Sequence, residues 1–193
     1  MRRRLLPYGW YPSSQAEVAQ EIAHWNKEIH DVSKTAIAAI APHAGWYFSG
    51  KLAWLSWLCA YDADCVVIAG GHLGAQQPIL VYDDDSYEVP GGALPVCREL
   101  VTAIMTTCKS RVDTSADNTV EIQLPLCAVR FGNTVPVVGL RVPEDEQAVT
   151  LGTMLAEWSK SNAKKLFVLG STDLTHYGPN YGFTPAGLGE KAQ

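Results

Sequence analysis

Short apolar runs recur along this chain, most of them separated from the next by a segment with helical spacing, and that alternation restricts the fold more than any other feature. The runs are TAIAAIA (35–41), CVVIAG (65–70), PILVYDD (78–84), TVPVVGLRV (134–142) and KKLFVLG (164–170). Each is short and rich in β-branched or small apolar residues, as a strand buried on both faces should be. The aspartates of PILVYDD place that run near a sheet edge.

Helical patterns fill the gaps. Ser14 and Glu17 form a capping box, and Val18, Ile22, Trp25 and Ile29 follow at helical spacing, predicting a first helix to about His30. SGKLAWLSWLCAY (49–61) reads as a buried helix, and EDEQAVTLGTMLAEWSK (144–160) as one with acidic residues in its first turn. A loop carrying Gly91 and Gly92 leads to PVCRELVTAIMTTC (95–108), a helix with proline in its first turn. In ADNTVEIQLPLCAVRFG (116–132), Pro125 should kink or split the helix. Alternating strands and helices predict an α/β fold: a three-layer sandwich whose mostly parallel or mixed central sheet carries helices on both faces. At 193 residues the chain reads as a single domain, 1–193, with a substantial core.

Composition excludes several function classes. A net charge of −5 gives no electrostatic footprint for nucleic acid, and 47% hydrophobic residues argue against disorder. Arg2, Arg3 and Arg4 could open a secretory signal, but LLPYGWYP breaks before an apolar stretch develops. No apolar run approaches the roughly 20 residues of a membrane span. The expectation is a cytoplasmic protein without membrane or nucleic-acid partners. Cys59, Cys65, Cys97, Cys108 and Cys127 lack CxxC spacing and sit mostly in apolar segments, as reduced core residues do.

Three of the apolar runs share an ending. AIAAIAPHAGW delivers His43, CVVIAGGHLG delivers His72, and LFVLGSTDLTHYG delivers Asp173 and His176, each just beyond a strand. The carboxyl ends of parallel strands form the crevice in which α/β proteins bind ligands, so these four side chains should meet. Imidazoles and a carboxylate with open positions suit a divalent metal. His43, His72 and His176 are the candidate metal ligands; Asp173 and His176 are candidate catalytic residues. Glu121, among apolar neighbours on the split helix, joins them as a candidate acid or base, while Asn118 and Thr119 could instead cap that helix. His24 and His30 fall off the apolar stripe of their helix and read as solvated. AGGHLG lacks the lysine and hydroxyl of a phosphate loop, and Ser171, Asp173 and His176 share one short loop without a nucleophile elbow.

These residues resemble the Memo-like family, including the bacterial branch called AmmeMemoRadiSam system protein B. GWYP (9–12) looks like its N-terminal signature, PHAGWYFSG (42–50) is similar to its PHAGW.YSG loop, GGH (70–72) stands where the family carries GPSH, and STDLTHYG (171–178) looks like SSD..H.G. The resemblance implies a fold similar to class III extradiol dioxygenases, with His43, His72, His176 and Asp173 lining a metal site. It also implies iron or copper and redox chemistry, Fe(II) first, with zinc as a further alternative. Two departures stand out. Asp117, Asn118 and Thr119 replace the family's E-H-S, exchanging a site-facing histidine for an amide. The family also continues past the length of this chain, to a cysteine that joins the histidines, so the domain should lack the family's C-terminal portion. Three functions follow as expectations: metal-dependent redox chemistry; a non-catalytic scaffold holding a peptide or small molecule, with Trp10, Trp46, Tyr47 and Tyr177 as aromatic anchors; or metal-dependent hydrolysis with Glu121 or His176 as base. HYGPNYGFTPAGLGEKAQ (176–193) follows a buried strand with no helix able to cover it, which makes a homo-oligomer a further expectation.

Overall fold

A computed structural model describes residues 1–173 and 175–188; Leu174, inside the STDLTHYG motif, and the last five residues lie outside it. Its centre is a six-stranded sheet with the spatial order β1-β8-β2-β7-β3-β6, formed by Ala38–Ala41 (β1), Cys65–Gly70 (β2), Ile79–Val81 (β3), Ser110–Val112 (β6), Val137–Arg141 (β7) and Leu166–Ser171 (β8). All neighbours are parallel except β3, which runs antiparallel to β7. The sheet is therefore mixed, and its three inner parallel strands β8, β2 and β7 supply the fully buried residues Phe167, Leu169, Val66, Val67, Ile68, Val137, Val138 and Leu140.

Side-chain alternation along β2 puts helices on both faces. At Gly70 a Cβ would strike Thr119, whereas Ala69 looks the other way, into a recess it shares with Val168, Leu151 and Leu155. The Gly70 face is covered by Trp46–Leu58 (α2), Asn118–Glu121 (α4) and Leu124–Phe131 (α5), with Gln15–Trp25 (α1) packed outside α2. The Ala69 face is covered by Glu146–Asn162 (α6), which packs with Arg98–Thr107 (α3). This is the expected α/β three-layer sandwich.

Trp57 anchors the first layer. It is fully buried between Phe131 and Phe167, with ring centroids 6.3 and 5.7 Å away, and its indole N–H donates to the Gln123 side-chain oxygen at 2.9 Å. Burying an indole requires such a partner for its one polar atom.

Local structure departs from the sequence reading in four places. Helix α1 stops at Trp25, well short of His30. Gly91 and Gly92 belong to a hairpin, Ser86–Val89 (β4) against Gly92–Pro95 (β5), whose turn sets Gly91 at φ +84°. Pro95 consequently ends a strand, and α3 begins three residues later, at Arg98. The three residues of β6, too short to signal themselves, form the far sheet edge. Pro125 does split its helix: α4 ends at Glu121 and Pro125 sits in the first turn of α5, where its missing N–H costs no hydrogen bond. Cys65, Cys108 and Cys127 are buried and all five cysteines are free thiols. No helix among the described residues is long and apolar enough to cross a membrane.

Candidate functional site

The ends of β1, β2 and β8 lie side by side, because β8 is inserted between the other two. Their following loops bring the predicted side chains into one cluster. The His43 and His72 rings stand edge to face with centroids 5.0 Å apart. Asp173 reaches both remaining partners: its Oδ1 accepts the His43 backbone N–H at 2.8 Å, and its Oδ2 lies 3.8 Å from His43 Nε2 and 3.4 Å from His176 Nε2.

The histidines differ in setting. His43 is buried, and its Nδ1 has no hydrogen-bond partner among the described residues; the Ser171 backbone favours the protonated ring. Burial lowers the His43 pKa and the His72 ring adds to that, while Asp173 and Asp117 pull the other way; the net direction is down. The neutral, ligand-competent imidazole is thereby favoured. His72 is half exposed, in the left-handed region at φ +61°, which side chains rarely adopt. Its Nδ1 lies 3.1 Å from Asp117 Oδ2. His176 is also half exposed and rests beside the Tyr181 ring, centroids 4.8 Å apart.

Glu121 is placed differently from the sequence expectation of an acid or base facing the histidines. It is buried, and both oxygens are engaged by the N-terminal segment: Leu5 N–H donates to Oε2 at 2.9 Å, while Leu6 N–H and the Tyr11 hydroxyl donate to Oε1 at 3.0 and 2.9 Å. A short helix with an apolar neighbour on each side marked Glu121 as inward-facing, but nothing in the sequence said that the chain's own first residues would occupy it.

Asp117, rather than the expected Asn118 or Thr119, caps α4, accepting from the Thr119 N–H at 2.9 Å, and Asn118 turns from the helix to donate its amide to the His43 carbonyl at 2.9 Å. Behind Asp117 stands Arg141, the last residue of β7. Its guanidinium donates to Asp117 Oδ2 at 3.1 Å, to Asp113 Oδ2 at 2.8 Å and to the Ser115 hydroxyl at 2.7 Å. Sequence reading passed over Arg141 and Asp113, since one charge ending a strand and another in a loop carry no pairing signal.

The expected aromatic anchors separate. Trp10, Trp46 and Tyr47 line a cleft of about 420 Å³ against α1, together with Tyr8, Tyr11 and Trp25. Tyr177 instead closes its own loop, accepting from Ala186 N–H at 3.0 Å and donating to the Gly187 carbonyl at 2.8 Å.

Comparison with known proteins follows the same motifs. The model of the Memo-like protein family matches residues 7–192. The chain belongs to the Memo-like family. Among curated members, a MEMO1 family protein of Pyrococcus furiosus is 28% identical over 200 residues, covering 96% of this chain and 68% of its own length. One from Pyrobaculum aerophilum is 31% identical, covering 89% of this chain and 67% of its own length, and one from Methanococcoides burtonii is 29% identical, covering 93% and 69%. The Memo-like match runs through all three strand ends that carry the histidine cluster.

Whether that cluster suits a metal can be judged from its donors. His43 has a buried ring nitrogen without a partner among the described residues, His72 has its Nδ1 against Asp117, and a carboxylate lies within 4 Å of two imidazoles. In donor type this fits a borderline divalent cation. Among the described residues, no group of three or more His, Cys, Asp or Glu side chains is already drawn together tightly enough to hold one.

Proposed function

We propose that this Memo-like protein binds a divalent metal, Fe(II) foremost with copper or zinc as alternatives, through His43 and His72 at the strand-end cleft, with His176 as third ligand. The observation carrying this reading is the convergence of the two imidazoles, 5.0 Å apart, from the ends of two strands that β8 separates in the sheet. When bound, the metal would supply open coordination positions for redox chemistry on a small molecule.

The chain's own residues define the rest. Burial keeps His43 available as a neutral donor, and Asp173 fixes the loop that carries it through the 2.8 Å bond to its backbone. His176, exposed at the mouth and 3.4 Å from Asp173, can swing onto the metal or hold a proton for the substrate, with Asp173 accepting from its ring. Glu121 takes no part, being occupied by Leu5, Leu6 and Tyr11.

Metal content by elemental mass spectrometry, on protein purified without oxygen and incubated with Fe(II), tests the reading. Stoichiometric iron that disappears in the His43→Ala, His72→Ala double variant is the expected result. A folded protein that takes up no iron refutes it and favours a second reading, a ligand-binding scaffold, for which the open aromatic cleft of Trp10, Trp46 and Tyr47 is the supporting observation.

A further inference from the structure

Asp117, Arg141 and Asp113 form a chain of charge that ends on His72. From the buried end outward, the Asp113 carboxylate accepts from Arg141 Nε at 2.8 Å and from the Ser115 N–H and hydroxyl at 2.9 and 2.6 Å. Arg2 braces the same loop, its guanidinium 3.5 Å above the Tyr82 ring and donating to the Asp113 carbonyl at 2.8 Å. Arg141 then presents Nη1 to Asp117 Oδ2, and that oxygen also faces His72 Nδ1. The second Asp117 oxygen is taken by the Thr119 N–H and hydroxyl. Both Asp117 oxygens are thus engaged, one by Thr119 and the other by Arg141 and His72.

We propose that Asp117 is the positioning residue of the cleft, fixing His72 as the Nδ1–H tautomer, with Nε2 left as the ring's lone-pair atom. An ionised carboxylate only accepts hydrogen bonds, so an imidazole nitrogen 3.1 Å away must bring the proton. Thr119 donates to one Asp117 oxygen through its N–H and hydroxyl and the Arg141 guanidinium donates to the other, so Asp117 is an acceptor on both sides, as an ionised carboxylate is. The contact also offsets the backbone cost of holding His72 at φ +61°. One short segment thus orders both histidines: Asp117 through the His72 ring and Asn118 through the His43 carbonyl. The inference deepens the metal-site reading by naming what aims one ligand, but the tautomer itself does not depend on a metal.

The test is long-range proton–nitrogen correlation spectroscopy of the metal-free, nitrogen-15 histidine-labelled chain, at a pH where the imidazoles are neutral. His72 is assigned by the signal missing in His72→Gln. The expected spectrum has His72 protonated on Nδ1; protonation on Nε2 overturns the proposal without any variant at Asp117. Asp117→Ser keeps a helix-capping hydroxyl but cannot reach the ring, so it should move His72 to the Nε2–H form preferred by free histidine. A spectrum unchanged by Asp117→Ser would also overturn the assignment. In Fe(II) titrations without oxygen, Asp117→Ser should weaken binding about 10- to 100-fold, the usual effect of removing such a partner. A tautomer shift in a protein that binds no iron in any form would sustain the positioning role and reject the metal reading; iron binding that needs His72 beside an unresponsive tautomer would do the reverse.

Discussion

Replacing Glu121 by alanine should loosen the start of the chain rather than disable the histidine cleft. The carboxylate accepts three hydrogen bonds, from Leu5, Leu6 and Tyr11. Bonds to a charged group contribute about 1.5–3 kcal/mol each, but the three are not equivalent. Leu5 is exposed and Leu6 half-buried, so their amides can turn to water once released, whereas Tyr11 is only 7% exposed and its hydroxyl would keep a single partner, Arg4. The loss should therefore come to about 2–4 kcal/mol, dominated by Tyr11 and the vacated space. Glu121→Gln, which retains one good acceptor, should lose about half as much. Urea unfolding followed by intrinsic fluorescence measures the first effect, and hydrogen exchange should show the amides of residues 5 and 6 losing protection. An unchanged urea midpoint with unchanged exchange, accompanied by loss of iron uptake, would refute this placement of Glu121 and return it to the cleft.

Two further substitutions probe the support beneath the site. Asp113→Ala removes one of two carboxylates from the buried Arg141 guanidinium and should destabilise by about 3 kcal/mol, the lower end of the range for breaking a buried pair because Asp117 remains. Burial works to raise the Asp113 pKa, but the Arg141 and Ser115 hydrogen bonds outweigh it and hold the carboxyl below its usual value. The unfolded chain thus binds the proton more readily, and stability contributed by Asp113 is complete above about pH 4 and lost as pH falls through the lower folded value. Stability measured against pH should accordingly fall less steeply below about pH 4 in Asp113→Asn than in the wild type; equal slopes would count against the pair. At Gly70, an added Cβ would lie 2.0 Å from Thr119 Oγ1, whereas at Gly71 it would meet nothing within 4 Å. Gly70→Ala should cost about 1–3 kcal/mol or more, seen as a melting temperature lowered by several degrees, and Gly71→Ala should be close to neutral; equal effects at the two positions would refute the contact.

What the sequence made legible was whatever leaves a periodic or punctuated trace. The runs at 65–70 and 164–170 appear as β2 and β8, and the split at Pro125 falls where ring sterics demand. The meeting of His43, His72 and Asp173 followed from one rule about strand ends. Features made by non-local pairing left no such trace. Three-residue β6 is defined only by β3 beside it, and the β4–β5 hairpin hid behind Pro90 and two glycines that equally describe a loop. Glu121 was legible as buried but not as the seat of Leu5 and Leu6, more than a hundred positions away. Arg141 continued a strand in sequence, and only the folded loop at 113–117 reveals why a guanidinium ends there.

The position of β8 governs how this molecule can be made. Strands β1 and β2 are translated before β8, yet they do not pair with each other; the slot between them waits for Leu166–Ser171. The other side of β2 waits for Val137–Arg141. A nascent chain therefore carries two apolar strands with open edges until Leu166–Ser171 has left the ribosome. Sheet closure must be late and dominated by contacts distant in sequence, which makes folding slow and the half-made chain prone to association. Because β8 also delivers Asp173, the cleft comes into being in the same event that closes the sheet.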